Sequence, residues 1–198
     1  MEINILAVDG NRTPGSSGSA ALGIILQAAR THGANVRLLD LGETDLPMFR
    51  AHDRISNEAV DEATEAVNWA DVLILGTPDY HGSMSGAMKN FLDHFWSEFA
   101  GKLFGYVCTS HEKGLTVMDQ MRTAVRQCYG WSLPYGTSFE GSDSFDEEGR
   151  PNAALAARLN MMGRDLAVYG RVIRTQFQED LQSDASDTFA ARYRPREK

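Results

Sequence analysis

Apolar positions along this chain follow two alternating patterns: short runs, and longer stretches that repeat every three to four residues. Ile3 to Val8 reads as a buried strand ending at Asp9-Gly10. From about Ala20 to Thr31, Leu22, Ile25, Leu26 and Ala29 fall on one helical face, and Gly33 stops the helix. Val36 to Leu39 predicts a second strand, and Ser56 can cap a helix carrying Val60, Ala63 and Val67. Val72 to Leu75 predicts a third strand, cut off by Gly76-Thr77-Pro78 and followed by a helix from about Ser85. That helix is aromatic, with Phe91, Phe95 and Phe99 at helical spacing and Trp96 beside them. Phe104 to Cys108 predicts a fourth strand, and Leu115, Met118, Met121 and Val125 mark the next helix. A less distinct strand lies around Trp131 to Tyr135, then an acidic loop over Phe139 to Arg150. Leu155, Leu159, Met162, Leu166 and Tyr169 mark a final amphipathic helix.

A strand–helix alternation repeated five times, with right-handed crossovers, gives a parallel sheet with helices on both faces. At 198 residues the chain suits one domain. We expect it to span residues 1–175, with a polar tail from Gln176 that frays or reaches over a neighbour.

Charge and composition exclude several classes. A formal charge of −8 argues against a nucleic-acid footprint. It also means that an anionic ligand must be held by local N–H groups and one or two cations. No apolar run approaches the roughly 18 residues of a membrane span. The opening Met-Glu-Ile-Asn-Ile lacks a basic n-region, so no signal peptide is expected. Cys108 and Cys128 form no C-x-x-C pair, and a cytoplasmic, reduced setting fits best. His32, His52, His94 and His111 are scattered without ligand spacing, so no metal site is expected.

Two loops carry the candidate chemistry. Gly10 to Ser19 is rich in Gly, Ser and Pro and opens a helix. Its small residues let N–H groups converge on an anion, and Arg12 supplies one fixed positive charge. It matches neither a Walker A nor a G-x-G-x-x-G pattern, and a plain helix-capping turn is the bland alternative. Pro78-Asp79-Tyr80-His81-Gly82-Ser83 follows the third strand. Tyr80 offers a flat face, and Gly82 allows close backbone approach to a planar ligand. A third loop, Thr109 to Gly114, leaves the fourth strand with hydroxyl donors at Thr109 and Ser110. No nucleophile elbow or close carboxylate pair appears, so no catalytic side chain is assigned.

The second loop resembles the Gly-Thr/Ser-Pro-Glu-Tyr-Asn-Gly-Ser loop of the NAD(P)H-dependent FMN reductase family, and the chain is identified as a member. The resemblance spans roughly residues 3 to 135. Asp79 and His81 stand where the family has glutamate and asparagine. Ser17 and Ser19 match serine and asparagine positions of the family's first loop, with Arg12 one residue early. The resemblance implies a flavodoxin-like doubly wound α/β fold with a five-stranded parallel sheet in order 2-1-3-4-5. The first two loops would then meet at a switch point. It implies FMN as cofactor and NADPH or NADH as co-substrate. The implied FMN contacts are Asn11, Arg12, Ser17, Ser19, Pro78, Asp79, Tyr80, His81, Gly82, Ser83, Thr109 and Ser110.

His81 reads either as an Asn-like hydrogen bonder or as a group tuning the flavin. The electron acceptor implied is a small molecule: a flavin, quinone, azo compound or metal oxyanion. Self-association as a homodimer or homotetramer through the 85–99 helix is also expected. Two other readings stay open, a flavodoxin-type electron carrier and a non-redox binding module that has lost FMN.

Overall fold

The computed structural model describes residues 2–53 and 56–194; the last four residues of the expected tail, 195–198, lie outside them. Four seven-residue strands form the body of one parallel sheet: β1 (Ile3–Asp9), β2 (Ala34–Asp40), β3 (Val72–Pro78) and β4 (Leu103–Thr109). They lie side by side in the order β2-β1-β3-β4. Two short strands share the fifth place. β5 (Trp131–Ser132) pairs with Leu103–Phe104, and β6 (Thr137–Phe139) pairs with Val107–Thr109. The single strand expected near 131–135 is therefore interrupted, and Pro134, which has no N–H to give a ladder, lies in the gap. The order 2-1-3-4-5 and the flavodoxin-like topology agree with the resemblance.

Strand periodicity divides the core into two layers. Leu6 and Val8 of β1 point into one layer with Leu73, Leu75, Phe104 and Tyr106. That layer is closed by α2 (Glu58–Trp69), α3 (Gly86–His94) and α4 (Leu115–Gln127). Ile3, Ile5 and Ala7 point the other way, under α1 (Ser17–Thr31) and, beyond the one-turn α5 (Gly141–Ser144), α6 (Ala153–Gln182). β3 is buried along its whole length, as a central strand covered on both faces must be.

Three expectations change in detail. Asn57, not Ser56, caps α2, accepting a hydrogen bond from the Val60 N–H at 2.9 Å. The aromatic helix stops at His94, because Phe95 is already extended. Phe91, Phe95 and Phe99 still converge, with ring centroids 5.1 to 6.2 Å apart, but the last arrives through a 3-10 turn over Ser97–Phe99. The helix expected to give way at Gln176 runs on to Gln182. Phe177 on that last stretch stacks on Phe189 of a second 3-10 turn, Phe189–Tyr193, at 5.4 Å. Arg194 fastens the return by donating to the Asp180 and Ala185 carbonyls at 2.8 and 2.7 Å. Apolar side chains inside a polar stretch thus decided its course.

α1 and α6 pack closely at Gly163. A Cβ there would lie 2.7 Å from the Ala28 Cβ and 3.0 Å from the Ala29 nitrogen, and also against the Ile25 carbonyl. Most of that contact is backbone of α1, which cannot rotate aside. Gly163→Ala should therefore destabilise the fold by about 1–3 kcal/mol through overpacking. This outweighs the roughly 1 kcal/mol of helix propensity that alanine contributes. A melting temperature at or above wild type would show that the helices can separate freely.

Candidate functional site

Three connections leave the carboxyl ends of adjacent strands, and backbone register brings them together. Asp9 pairs with Gly76, and Pro78 pairs with Thr109. Beyond the strands, Gly10 N–H donates to the Gly76 carbonyl at 2.7 Å, and Asp79 N–H donates to the Thr109 carbonyl at 2.8 Å. Ser85, the N-cap of α3, donates from its hydroxyl to the Gly10 carbonyl at 2.8 Å. A Cβ on Gly10 would lie 3.0 Å from the Gly76 carbonyl, the Ser85 hydroxyl and the Met88 Cβ, so the residue must be small. The first two loops are thereby tied edge to edge.

The first loop ends in the start of α1. Ser16 caps the helix, accepting from Ser19 N–H at 3.1 Å, which places Ser17 and Ser19 in the first turn. The first N–H groups of such a helix have no intrahelical acceptor and point at whatever lies beyond its end. Behind this turn is Asp9, only 1% exposed. Its carboxylate accepts from Asn11 N–H at 2.9 Å, from the Asn11 side-chain amide at 2.6 Å, and from the Ser19 hydroxyl. Arg12 points elsewhere: its guanidinium donates to Asp45 at 3.1 Å, with both side chains more than half exposed. It lines a cleft of about 220 Å³ between the stretch after β2 and the start of α3, with Leu41, Leu46, Met48 and Asn90 among its walls.

The second loop is a tight hairpin. Tyr80 and Ser83 exchange backbone hydrogen bonds of 2.9 and 3.1 Å around His81-Gly82. Both central residues have positive φ, 57° and 74°, the pattern of a type I′ turn. Histidine tolerates that backbone better than most side chains, as asparagine does. Conformation is thus a sufficient reason for a His-Gly pair here. Asp79 holds the turn with both oxygens, one accepting from Gly82 N–H and the other from the Ser110 hydroxyl, each at 2.7 Å. Ser110 is consequently committed to Asp79 and to Glu112 N–H. Pro78 is buried, while the Tyr80 ring stays 57% exposed at the tip.

Thr109 faces the α1 side of the sheet, where its hydroxyl is buried without a hydrogen-bond partner. A Cβ on Gly18 would lie 3.2 Å from that hydroxyl, which places it beside the first turn of α1. Of the twelve expected residues, Asn11, Ser17, Ser19 and Thr109 therefore gather at the helix end. Pro78 to Ser83 and Ser110 form the neighbouring wall, and Arg12 is turned away. Burial, reinforced by the charge of Asp79, pushes the thiol of Cys108, next to this wall, up to about 12. His111, on the third loop, bonds Glu140 at 2.7 Å, and that contact raises its pKa.

Several positioning residues escaped the sequence reading. Thr77 accepts from Ser85 N–H at 2.9 Å, fixing the start of α3. Gln120 of α4 accepts from the Ser83 hydroxyl at 2.8 Å and donates to the Gly82 carbonyl at 3.1 Å. Gln120 carries no local signal, because it lies 37 residues from Ser83. Asp9 reads from sequence only as the end of a strand.

The model of the family described as NADPH-dependent FMN reductase matches residues 3–143. An FMN-dependent NADPH-azoreductase of Staphylococcus aureus is 31% identical over 148 residues, covering 70% of this chain and 77% of that protein. Its counterpart from Staphylococcus haemolyticus is 29% identical over the same shares. Among solved structures, an NADH:FMN oxidoreductase in its apo form superposes with a TM-score of 0.72 at 20% identity, covering 84% of this chain and 89% of that one. At that identity the likeness concerns the fold.

Asp79→Ala removes both clamps on the hairpin while leaving its strand intact. The Gly82 amide should exchange its hydrogen at least about tenfold faster, because a hydrogen bond to a charged acceptor is worth ~1.5–3 kcal/mol. Unchanged Gly82 protection would mean that the turn holds itself.

Proposed function

Because the chain belongs to the NADPH-dependent FMN reductase family, we propose that it is an FMN-dependent NAD(P)H oxidoreductase acting on a small flat acceptor. One observation carries the reading: the small-residue turn at the start of α1 and the exposed Tyr80 hairpin are tied to one another at a single edge of the sheet. That edge is where doubly wound sheets receive nucleotide cofactors.

The residues present fit a flavin mononucleotide. The unpartnered Thr109 hydroxyl beside Gly18 is a buried donor in want of an acceptor. Ser17, Thr109 and the first N–H groups of α1 would hold the phosphate, and the 78–83 wall would flank the ring. FMN, when bound, supplies the two-electron redox chemistry that no side chain here can perform. The chain's contribution is positional. Asp79 and Gln120 keep the hairpin rigid, and the tyrosine offers an aromatic surface on which a nicotinamide or a flat acceptor can stack. No proton-transferring side chain is required at this wall. An azo compound or a quinone fits such a surface better than a metal oxyanion, and the azoreductase names of the relatives support the azo class.

The chain is also proposed to pair with itself. Along α3 and α4 runs an apolar groove of about 460 Å³, walled by Phe49, Leu92, Phe95, Phe99 and Ala124, with Trp96 67% exposed at its rim. Stacking a second copy there would cover the largest exposed ring of the 85–99 segment.

Purified protein supplied with FMN should show the flavin absorbance and lose it on anaerobic mixing with NADPH or NADH. A flavin that stays oxidised would point to an electron carrier; no uptake of flavin at all would point to a binding module. Tyr80→Ala should raise KM for nicotinamide or acceptor about tenfold, the scale of one aromatic stacking contact, without lowering the melting temperature. A fall as large as a core deletion would make Tyr80 structural. Trp96→Asp should lower the sedimenting mass if the groove is the pairing face.

A further inference from the structure

Around the first turn of α1 the donors that could take an anion stand in front of a buried carboxylate, Asp9. Asp9 is 1% exposed and receives its hydrogen bonds from neutral groups, Asn11 and Ser19. The loop's own cation, Arg12, is held by Asp45. Two residues that the resemblance assigns to FMN contact thus already serve a carboxylate. A phosphate held at the helix end by Ser17, Thr109 and the first N–H groups of α1 would find Asn11 and Ser19 already engaged and a buried carboxylate behind them. Neighbouring like charges oppose one another, whereas the uncharged isoalloxazine ring is indifferent to them.

We propose that Asp9 is a selectivity residue that cancels much of the phosphate's contribution to flavin binding. This chain then accepts riboflavin almost as readily as FMN and holds FMN as an exchangeable ligand. The proposal rests on the functional reading above, which puts the phosphate at the start of α1. The rest of the site is built for the ring: the hairpin is clamped at both oxygens of Asp79 and again by Gln120. Ring contacts can therefore hold a flavin whose phosphate is poorly served.

Titration of flavin-free protein with FMN and with riboflavin, read by quenching of flavin fluorescence, tests this in wild type, Asp9→Asn and Asp9→Ser. The wild-type dissociation constants for the two flavins should agree within about tenfold. Removing the charge should tighten FMN by at least about tenfold and leave riboflavin within about twofold, as expected for loss of a like charge beside an anion. Unchanged riboflavin binding also reports that the variant is folded. A wild-type preference for FMN of about a thousandfold would overturn the proposal, and so would weaker FMN binding in both variants, since Asp9 would then be organising the loop for the phosphate. If neither flavin binds wild type or variants of native circular dichroism, the functional reading itself falls, and this inference with it.

Discussion

Everything at the candidate site depends on the register of three neighbouring parallel strands. β1, β3 and β4 end level with one another, Asp9 against Gly76 and Pro78 against Thr109. Chain leaving each strand continues the ladder for one further bond, from Gly10 to Gly76 and from Asp79 to Thr109. A slip of one residue in either pairing would turn Asp9 or Thr109 toward the opposite layer of the core. That layer is lined mainly by apolar side chains such as Leu73, Leu75 and Met88. The penalty for burying a carboxylate or hydroxyl there without partners is what locks the geometry. Site and fold are thus specified by the same alternation of side chains.

That alternation is also why so much could be read from the residues. Each long strand carries a short apolar run, and α1, α4 and α6 each present one apolar stripe, so element type and order followed directly. What escaped were interruptions decided by contacts far along the chain. α3 stops at His94 because Phe95 and Phe99 are drawn into one cluster with Phe91 and Phe104, an outcome that helical spacing alone does not distinguish from a longer helix. α6 passes through polar residues because Phe177 and Phe189 find each other across twelve positions of chain. In both cases the aromatic rings were visible in the sequence and their partners were not.

For the site, residue types were legible and directions were not. Thr109 was recognised as a donor, and the structure adds that its hydroxyl is buried and unpartnered. Arg12 was given weight as the cation of the first loop, but a long side chain at a loop position can turn either way. It turns toward Asp45, which follows a different strand. Asp79 and Ser110 were grouped as independent contacts, yet they bond each other, and their partnership shapes the hairpin. His81 drew attention as a titratable group, whereas its positive φ gives a conformational reason for its presence.

The two loops therefore differ in kind. Around Tyr80 the Gly82 N–H and carbonyl and the Ser83 hydroxyl are paired, two side chains brace the turn, and the Tyr80 ring is left open. Around α1 the pairing is internal as well, but its centre is a buried carboxylate, and the buried hydroxyl without a partner, that of Thr109, belongs to another strand. A site of this construction draws its grip on a planar ligand from the hairpin and from shape, with little help from charge. Affinity obtained that way depends on contact area and stacking, so it is shared by any ring that fits, and it varies little with ionic strength. The global charge of −8 acts in the same direction, since it does nothing to attract an anionic nucleotide to the edge of the sheet. Recognition by surface and not by charge is what such a construction allows: the sequence provides an aromatic face at the hairpin and withholds countercharge at the helix.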